Sequence, residues 1–204
     1  MTKTRNLILA LIAVLLVVGV SSPACAKKRE PEKDLAVPVS GVMMVGDSMT
    51  DTAKAHLRAK GPNWYIDAVR GRGVTELPVR INAYLRSHDV PPAIAILALG
   101  TNEQEGWTLA DYRAAVRLLP SNTRIVFVNT YRPVFAGQAR DGRQYSAWMD
   151  RIAQTRNLTT VADWRSAAMA DPTLIGDGLH QSATGAKVWA NLVFDAMRRV
   201  KAMR

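Results

Sequence analysis

The chain contains a single cysteine, Cys25, in 204 residues. One thiol cannot close an internal bridge, so a disulfide-framework domain is excluded. Histidine is scarce too, at three residues, which leaves few side chains for proton transfer near neutrality. Acidic residues are outnumbered: 17 Asp and Glu face 27 Lys and Arg, a formal charge of +10. That balance raises polyanionic partners, whether nucleic acid, anionic glycan or a membrane surface. Internal repeats and low-complexity tracts are missing, and 13 Gly with 10 Pro are too few for a collagenous or disordered chain. What is present, 48% hydrophobic and 22% charged residues, is the composition of one globular domain.

Long apolar runs are also rare. The longest is Leu7 to Val20, preceded by Lys3 and Arg5 and followed by Ser21-Ser22-Pro23 and Ala24-Cys25-Ala26. A charged start, an apolar stretch of 14 residues and a small-x-small site are the parts of a secretory signal peptide, with cleavage expected after Ala26. The run is shorter than the roughly 20 residues that span a bilayer; an uncleaved membrane anchor is the alternative. Lipid modification of Cys25 ranks last, because Ser22-Pro23-Ala24 lacks the aliphatic residue of such sites. Removing residues 1–26 lowers the charge from +10 to +8 and takes away the cysteine, which suits an oxidising compartment. Residues 27–40 are charged and proline-bearing with no apolar period, and read as a tether. The expected organisation is a signal or anchor over 1–26, a tether over 27–40 and one domain over 41–204, secreted or held in the cell envelope.

From Gly41 onward, apolar runs of strand length alternate with segments of helical period. Strands are expected at Val42–Val45, Trp64–Val69, Ala93–Leu99, Arg124–Asn129 and Thr159–Ala162. Helices are expected over Asp51–Lys60, Glu76–Arg86, Leu109–Leu118, Gln144–Arg156 and Ala183–Val200. Ala93–Leu99 is apolar at every residue, as a central parallel strand covered on both faces must be. Five strands alternating with helices predict an α/β domain on a parallel sheet. Ligands of such sheets bind beyond the carboxyl ends of the strands, so the residues after each strand are the candidates.

After the first strand stands Gly46-Asp47-Ser48. Glycine permits a tight turn, and Ser48 then opens a helix whose free N–H groups can meet a developing oxyanion. The bland alternative is that Ser48 or Thr50 caps that helix. After the second strand come Gly71 and Gly73 in Arg70-Gly71-Arg72-Gly73, and after the third Asn102 in Gly100-Thr101-Asn102. Each can donate into the same crevice, and each is also an ordinary turn residue. Before the last helix lies Asp177-Gly178-Leu179-His180. Histidine is the natural base for a serine, and a carboxylate three residues earlier can curl back to hold its tautomer. His56, inside a helix, and His88, in a loop between charged neighbours, lack such a carboxylate.

Taken in chain order, these blocks resemble the SGNH hydrolases, also called GDSL-type esterases. Ser48 matches the Ser of the family's Gly-Asp-Ser block, Asn102 the Asn of its Gly-x-Asn block, and His180 with Asp177 its Asp-x-x-His block. Ile66-Asp67-Ala68-Val69-Arg70-Gly71-Arg72 looks like the remaining block, with Gly71 preferred over Gly73. The likeness spans about Val42 to Ala196. It implies a three-layer α/β/α sandwich of flavodoxin-like strand order and ester hydrolysis through an acyl-serine, with no metal and no organic cofactor. Ser48 would be the nucleophile, His180 the base and Asp177 its orienting carboxylate. The Ser48 and Gly71 N–H groups and the Asn102 amide would form the oxyanion hole. Asp47 would tie down the turn. Val161-Ala162-Asp163-Trp164 and Asp177-Gly178-Leu179-His180-Gln181 further resemble the variety attached to membrane acyltransferases or secreted alone, acting on O-acetyl groups of envelope glycans.

The expected substrate is therefore an acylated carbohydrate or another small ester. An O-acyltransferase with the same triad, or a non-catalytic glycan-binding module, are the alternatives. The basic residues are spread over tether and helix surfaces with no nucleic-acid motif, so nucleic acid drops out as a partner, while an anionic envelope polymer stays compatible. A membrane partner is expected only if the N-terminal segment is uncleaved. Trp107, Trp148 and Trp164 are candidates for a sugar cleft, with core packing as the competing role.

Overall fold

The computed structural model describes residues 39–204. The signal or anchor expected over 1–26, and all but the end of the tether, lie outside the described residues. Among the described residues no helix is long and apolar enough to cross a membrane.

Strands β1 (Ser40–Gly46), β2 (Tyr65–Ala68), β3 (Pro92–Ala98), β4 (Arg124–Val128) and β5 (Thr159–Ala162) form one parallel sheet in the order β2-β1-β3-β4-β5. Six helices accompany it among the described residues: α1 (Ser48–Lys60), α2 (Leu77–Ser87), α3 (Leu109–Val116), α4 (Arg143–Thr155), α5 (Trp164–Ala170) and α6 (Ala183–Ala202). Parallel neighbours need crossovers, and helices supply them, so the α/β expectation and its flavodoxin-like order both hold. Ser40, read from the sequence as tether, is instead the first residue of β1, and its N–H donates to the Pro91 carbonyl at 2.9 Å.

The two-residue period of the strands divides the core into halves. Met44, Ile94, Ile96 and Val126 face Met49, Ala53 and Leu57 of α1 and Trp189, Ala190 and Val193 of α6. Met43, Val45, Ala95, Leu97 and Phe127 face the other way, onto Leu77 and Ile81 of α2, Tyr112 of α3 and Met149 of α4. Helix α5 has no counterpart in the sequence reading. Its seven residues are too few to display a period, and it is started by the Asp163 carboxylate accepting the Ser166 N–H at 3.0 Å.

Register places the site. Gly46 at the end of β1 pairs with Ala68 of β2 on one side and with Ala98 of β3 on the other. The three segments leaving these strands therefore start at one level. Between β1 and β3 the chain reverses its direction of growth across the sheet, which opens a crevice at their carboxyl ends.

Candidate active site

Ser48 is the first residue of α1, and its cap is Asp47, whose Oδ1 accepts the Met49 N–H at 2.9 Å. Capping by Ser48 or Thr50 is thus excluded, and the Ser48 N–H is one of the orphan donors of the first turn. Gly46 is required by close approach: a methyl there would stand 1.9 Å from Thr50 Oγ1 and 2.4 Å from Thr50 Cβ.

Asp177 and His180 belong to the loop between the 3-10 turn Pro172–Leu174 and α6. An isolated bridge between Ile175 and Gln181 closes this loop at its base. Inside it, Asp177 Oδ1 accepts the N–H groups of His180 at 2.7 Å and Leu179 at 3.0 Å. Its Oδ2 lies 2.8 Å from His180 Nδ1, and His180 Nε2 lies 3.0 Å from Ser48 Oγ. A carboxylate at Nδ1 holds the proton there, so Nε2 presents its lone pair to the serine hydroxyl. The His180 N–H, the His180 ring and the Leu179 N–H hold the Asp177 carboxyl well below the usual range, which keeps it charged. Gln181, buried at 6% exposure, donates from Nε2 to the Met49 carbonyl at 3.1 Å. That latch fastens the histidine loop to α1. The sequence names Gln181 only as the last residue of a motif; its role depends on a contact across 132 positions.

Asn102 follows β3, beside Ser48 through the register of Gly46 with Ala98. One hydrogen of its Nδ2 is donated to the Arg72 carbonyl at 3.0 Å, and the other stays available. Asn102 also bridges Gly73, so the second-block strip and the third block lie together. Gly71 has φ +79° and open space where a side chain would stand, whereas a Cβ on Gly73 would meet the Gln104 amide at 2.7 Å. Under this strip Arg72 is buried, donating to the Asp67 side chain at 2.7 Å and to the Gly46 carbonyl at 3.3 Å. The sequence names it only within a turn and as the end of the second block; its staple between the ends of β1 and β2 exists because those strands pair.

Asp47 is fully buried, and burial pushes its carboxyl up to about 6, against hydrogen bonds from Met49 and Thr101. A raised carboxyl favours folding in its neutral form. That contribution is complete below 3.8, fades as pH rises, and is gone above about 6. We therefore expect Asp47→Asn, which keeps the acceptor for Met49, to gain on the order of 2–3 kcal/mol over wild type between pH 4 and pH 8. Thermal melts of both proteins across that range check it.

The other candidates fall away. His56 is exposed on α1, and His88 stacks on Tyr84 with ring centroids 3.9 Å apart. Trp164 is buried against the α6 side of the sheet, while Trp107 and Trp148 pack beside Tyr112 on the opposite side. Trp164 is a core residue, and Trp107 and Trp148 are partly buried against the core. Among the described residues no group of three His, Cys, Asp or Glu could hold a metal ion.

No protein-family model matches the chain, and no curated protein matches it. Solved structures do. The C-terminal catalytic domain of peptidoglycan O-acetyltransferase A from Streptococcus pneumoniae is similar with TM-score 0.73 and 21% identity, over 81% of this chain and 97% of that one. A member of the lipolytic G-D-S-L family from Veillonella parvula gives TM-score 0.65 and 14% identity, over 79% and 100%. The family 3 carbohydrate esterase of Clostridium thermocellum gives 0.59 and 18%, over 81% and 98%. At these identities the likeness concerns architecture, and its content is plain: the chain has the fold of the SGNH/GDSL hydrolases.

Proposed function

We propose that the protein is a serine esterase that removes small acyl groups, acetyl foremost, from an acylated carbohydrate of the cell envelope. The observation that carries this reading is the unbroken hydrogen-bonded line from Asp177 to His180 at 2.8 Å and from His180 to Ser48 at 3.0 Å. Ser48 Oγ attacks the ester carbonyl while its proton passes to His180 Nε2. The oxyanion is met by the N–H groups of Ser48 and Gly71 and by the free hydrogen of the Asn102 amide. Collapse expels the alcohol, which takes the proton from His180 and leaves an acyl-serine. Water, deprotonated by the same imidazole, then releases the acid. No metal or organic cofactor enters these steps. Export, by the segment over 1–26, brings the enzyme to that substrate.

A second reading changes only the acceptor: a sugar hydroxyl replaces water and the protein is an O-acyltransferase. The similarity to an O-acetyltransferase domain at TM-score 0.73 favours keeping it. Product analysis with a glycan acceptor present separates the two.

The test uses p-nitrophenyl acetate and a fluorophosphonate probe. Wild type turns over the ester and is labelled, while Ser48→Ala loses labelling and at least about 10³-fold in kcat/KM. Labelling that persists in Ser48→Ala removes Ser48 as the nucleophile, and a folded wild type that neither reacts nor labels overturns the esterase in favour of a binding module.

A further inference from the structure

The loop from β4 to α4 gathers more positive charge than its neighbours neutralise. The guanidinium carbons of Arg132 and Arg140 lie 4.3 and 4.2 Å from the centroid of the Phe135 ring. Both side chains lean on one carboxylate oxygen, Glu103 Oε2, 3.0 Å from Arg132 Nη1 and 3.5 Å from Arg140 Nε. Asp141 takes Arg143 on Oδ1 at 3.0 Å and Arg165 on Oδ2 at 3.1 Å. Two guanidinium groups thus share the single carboxylate of Glu103, while Arg165 of the second pair also faces Asp163.

Arg132 is only 8% exposed, and its Nε has no hydrogen-bond partner among the described residues. Burial, with repulsion from Arg140, lowers its affinity for its proton despite Glu103. Arg140 is the accessible member, with 59% of its side chain exposed. Two like charges gathered on one ring and one carboxylate are unfavourable unless another anion joins them. A guanidinium fork matches a planar carboxylate or a phosphate face, and aromatic stacking holds it in position.

This cluster sits at the rim of the candidate site. Glu103 directly follows Asn102. Val134, between Arg132 and Phe135, donates its N–H at 3.2 Å to the carbonyl of Gly178, which lies between Asp177 and His180. The loop that carries Arg132 and Phe135 is therefore bonded to the loop that carries His180.

We propose that Arg140, backed by Arg132 and Phe135, is a subsite for an anionic group, carboxylate or phosphate, carried by the acylated polymer beside its ester. The inference rests on the esterase reading and makes the substrate a polyanion instead of a neutral glycan. Three polymers on one backbone test it: O-acetylated dextran, O-acetylated carboxymethyl dextran and O-acetylated phosphodextran, with acetate release giving kcat/KM. The expected result is a preference of about tenfold for at least one anionic polymer over the neutral one, carried mainly by KM. The better of the two names the anion. The preference shrinks at about 0.5 M salt, where screening shortens to a few ångström. Arg140→Glu reduces the anionic-to-neutral ratio to about one or below, whereas Arg117→Glu, an equal charge change on an exposed residue ending α3, leaves the ratio in place.

Equal rates on the three polymers, a ratio that survives Arg140→Glu, or no acetate release from any of them while p-nitrophenyl acetate is turned over, each overturn the subsite. Loss of the esterase itself shows separately, as absent Ser48-dependent turnover of p-nitrophenyl acetate. The subsite is then judged by binding of unacetylated carboxymethyl dextran and phosphodextran, which must depend on Arg140.

Discussion

On the esterase reading, changing His180 to alanine is expected to lower kcat/KM for p-nitrophenyl acetate by about 10⁵-fold, the scale on which loss of a triad base acts. Among the described residues no other side chain is hydrogen-bonded to the Ser48 hydroxyl. His180 Nε2 is the side-chain acceptor 3.0 Å from Ser48 Oγ, and the neighbouring carboxylate, Asp47, is turned inward onto Met49 and fully buried. Asp177→Asn has a smaller effect, about 10²- to 10³-fold. The asparagine keeps an oxygen for the N–H groups of Leu179 and His180, but it turns an amide hydrogen toward Nδ1. That favours the tautomer with its proton on Nε2, facing the serine. The loss is moderated because the Asp177 side chain is 63% exposed, so water substitutes in part for the missing charge. Circular dichroism of both variants establishes that they are folded. A His180→Ala protein within tenfold of wild type would remove the mechanism.

Gly185→Ala is the second large effect, and its sign is the reverse of what helix propensity dictates. Exchanging glycine for alanine inside a helix ordinarily stabilises by about 1 kcal/mol. Here Gly185 lies in the first turn of α6, where a methyl would stand 1.9 Å from the Leu174 carbonyl oxygen and 2.8 Å from its carbon. That oxygen already accepts the Ser182 N–H at 2.8 Å, a bond at the base of the loop holding Asp177 and His180. Backbone cannot rotate aside as a side-chain tip can, so the helix and the loop must separate. We expect a loss of about 2–3 kcal/mol, seen as a fall of roughly 5–10 °C in Tm for a domain of this size. Because the separation moves His180 from Ser48, kcat/KM falls as well, by about 10²-fold at temperatures where the variant is folded. Calorimetry with esterase assays on one preparation checks both; a Tm at or above wild type would mean that the contact relaxes.

Much of the fold was legible because parallel α/β structure is written locally. The run Ala93–Leu99 announced a strand covered on both faces, and β3 with its buried flanks is that strand, one residue earlier at each end. The other strands fall within two residues of expectation, since an apolar run marks a strand's middle better than its last hydrogen bond. Helix α5 was not legible. Its start depends on Asp163, held by a hydrogen bond from Asn129 at 2.8 Å across 34 positions, and Trp164, which the sequence offered to a sugar cleft, is consumed by the core. In the site, Ser48, Asn102 and the Asp177–His180 pair stood out because reactive residue types followed strand ends or preceded a helix. The roles of Gln181 and Arg72 and the Arg132–Glu103–Arg140 cluster did not, because the latch to Met49, the staple to Gly46 and the bond to Glu103 reach across 132, 26 and 29 positions.

By itself, the sequence determined the alternation of strands and helices, the identity of the residues at the strand ends and the excess of cations. These follow from side-chain period, backbone preference and charge, which neighbouring residues set among themselves. The tertiary structure alone decided that β1 lies between β2 and β3, that His180 meets Ser48 across 132 positions, and that arginines 132 and 140 share one carboxylate beside Asn102. Such pairings come from packing two apolar faces of one sheet and from satisfying buried polar groups, and no window of adjacent residues contains that information.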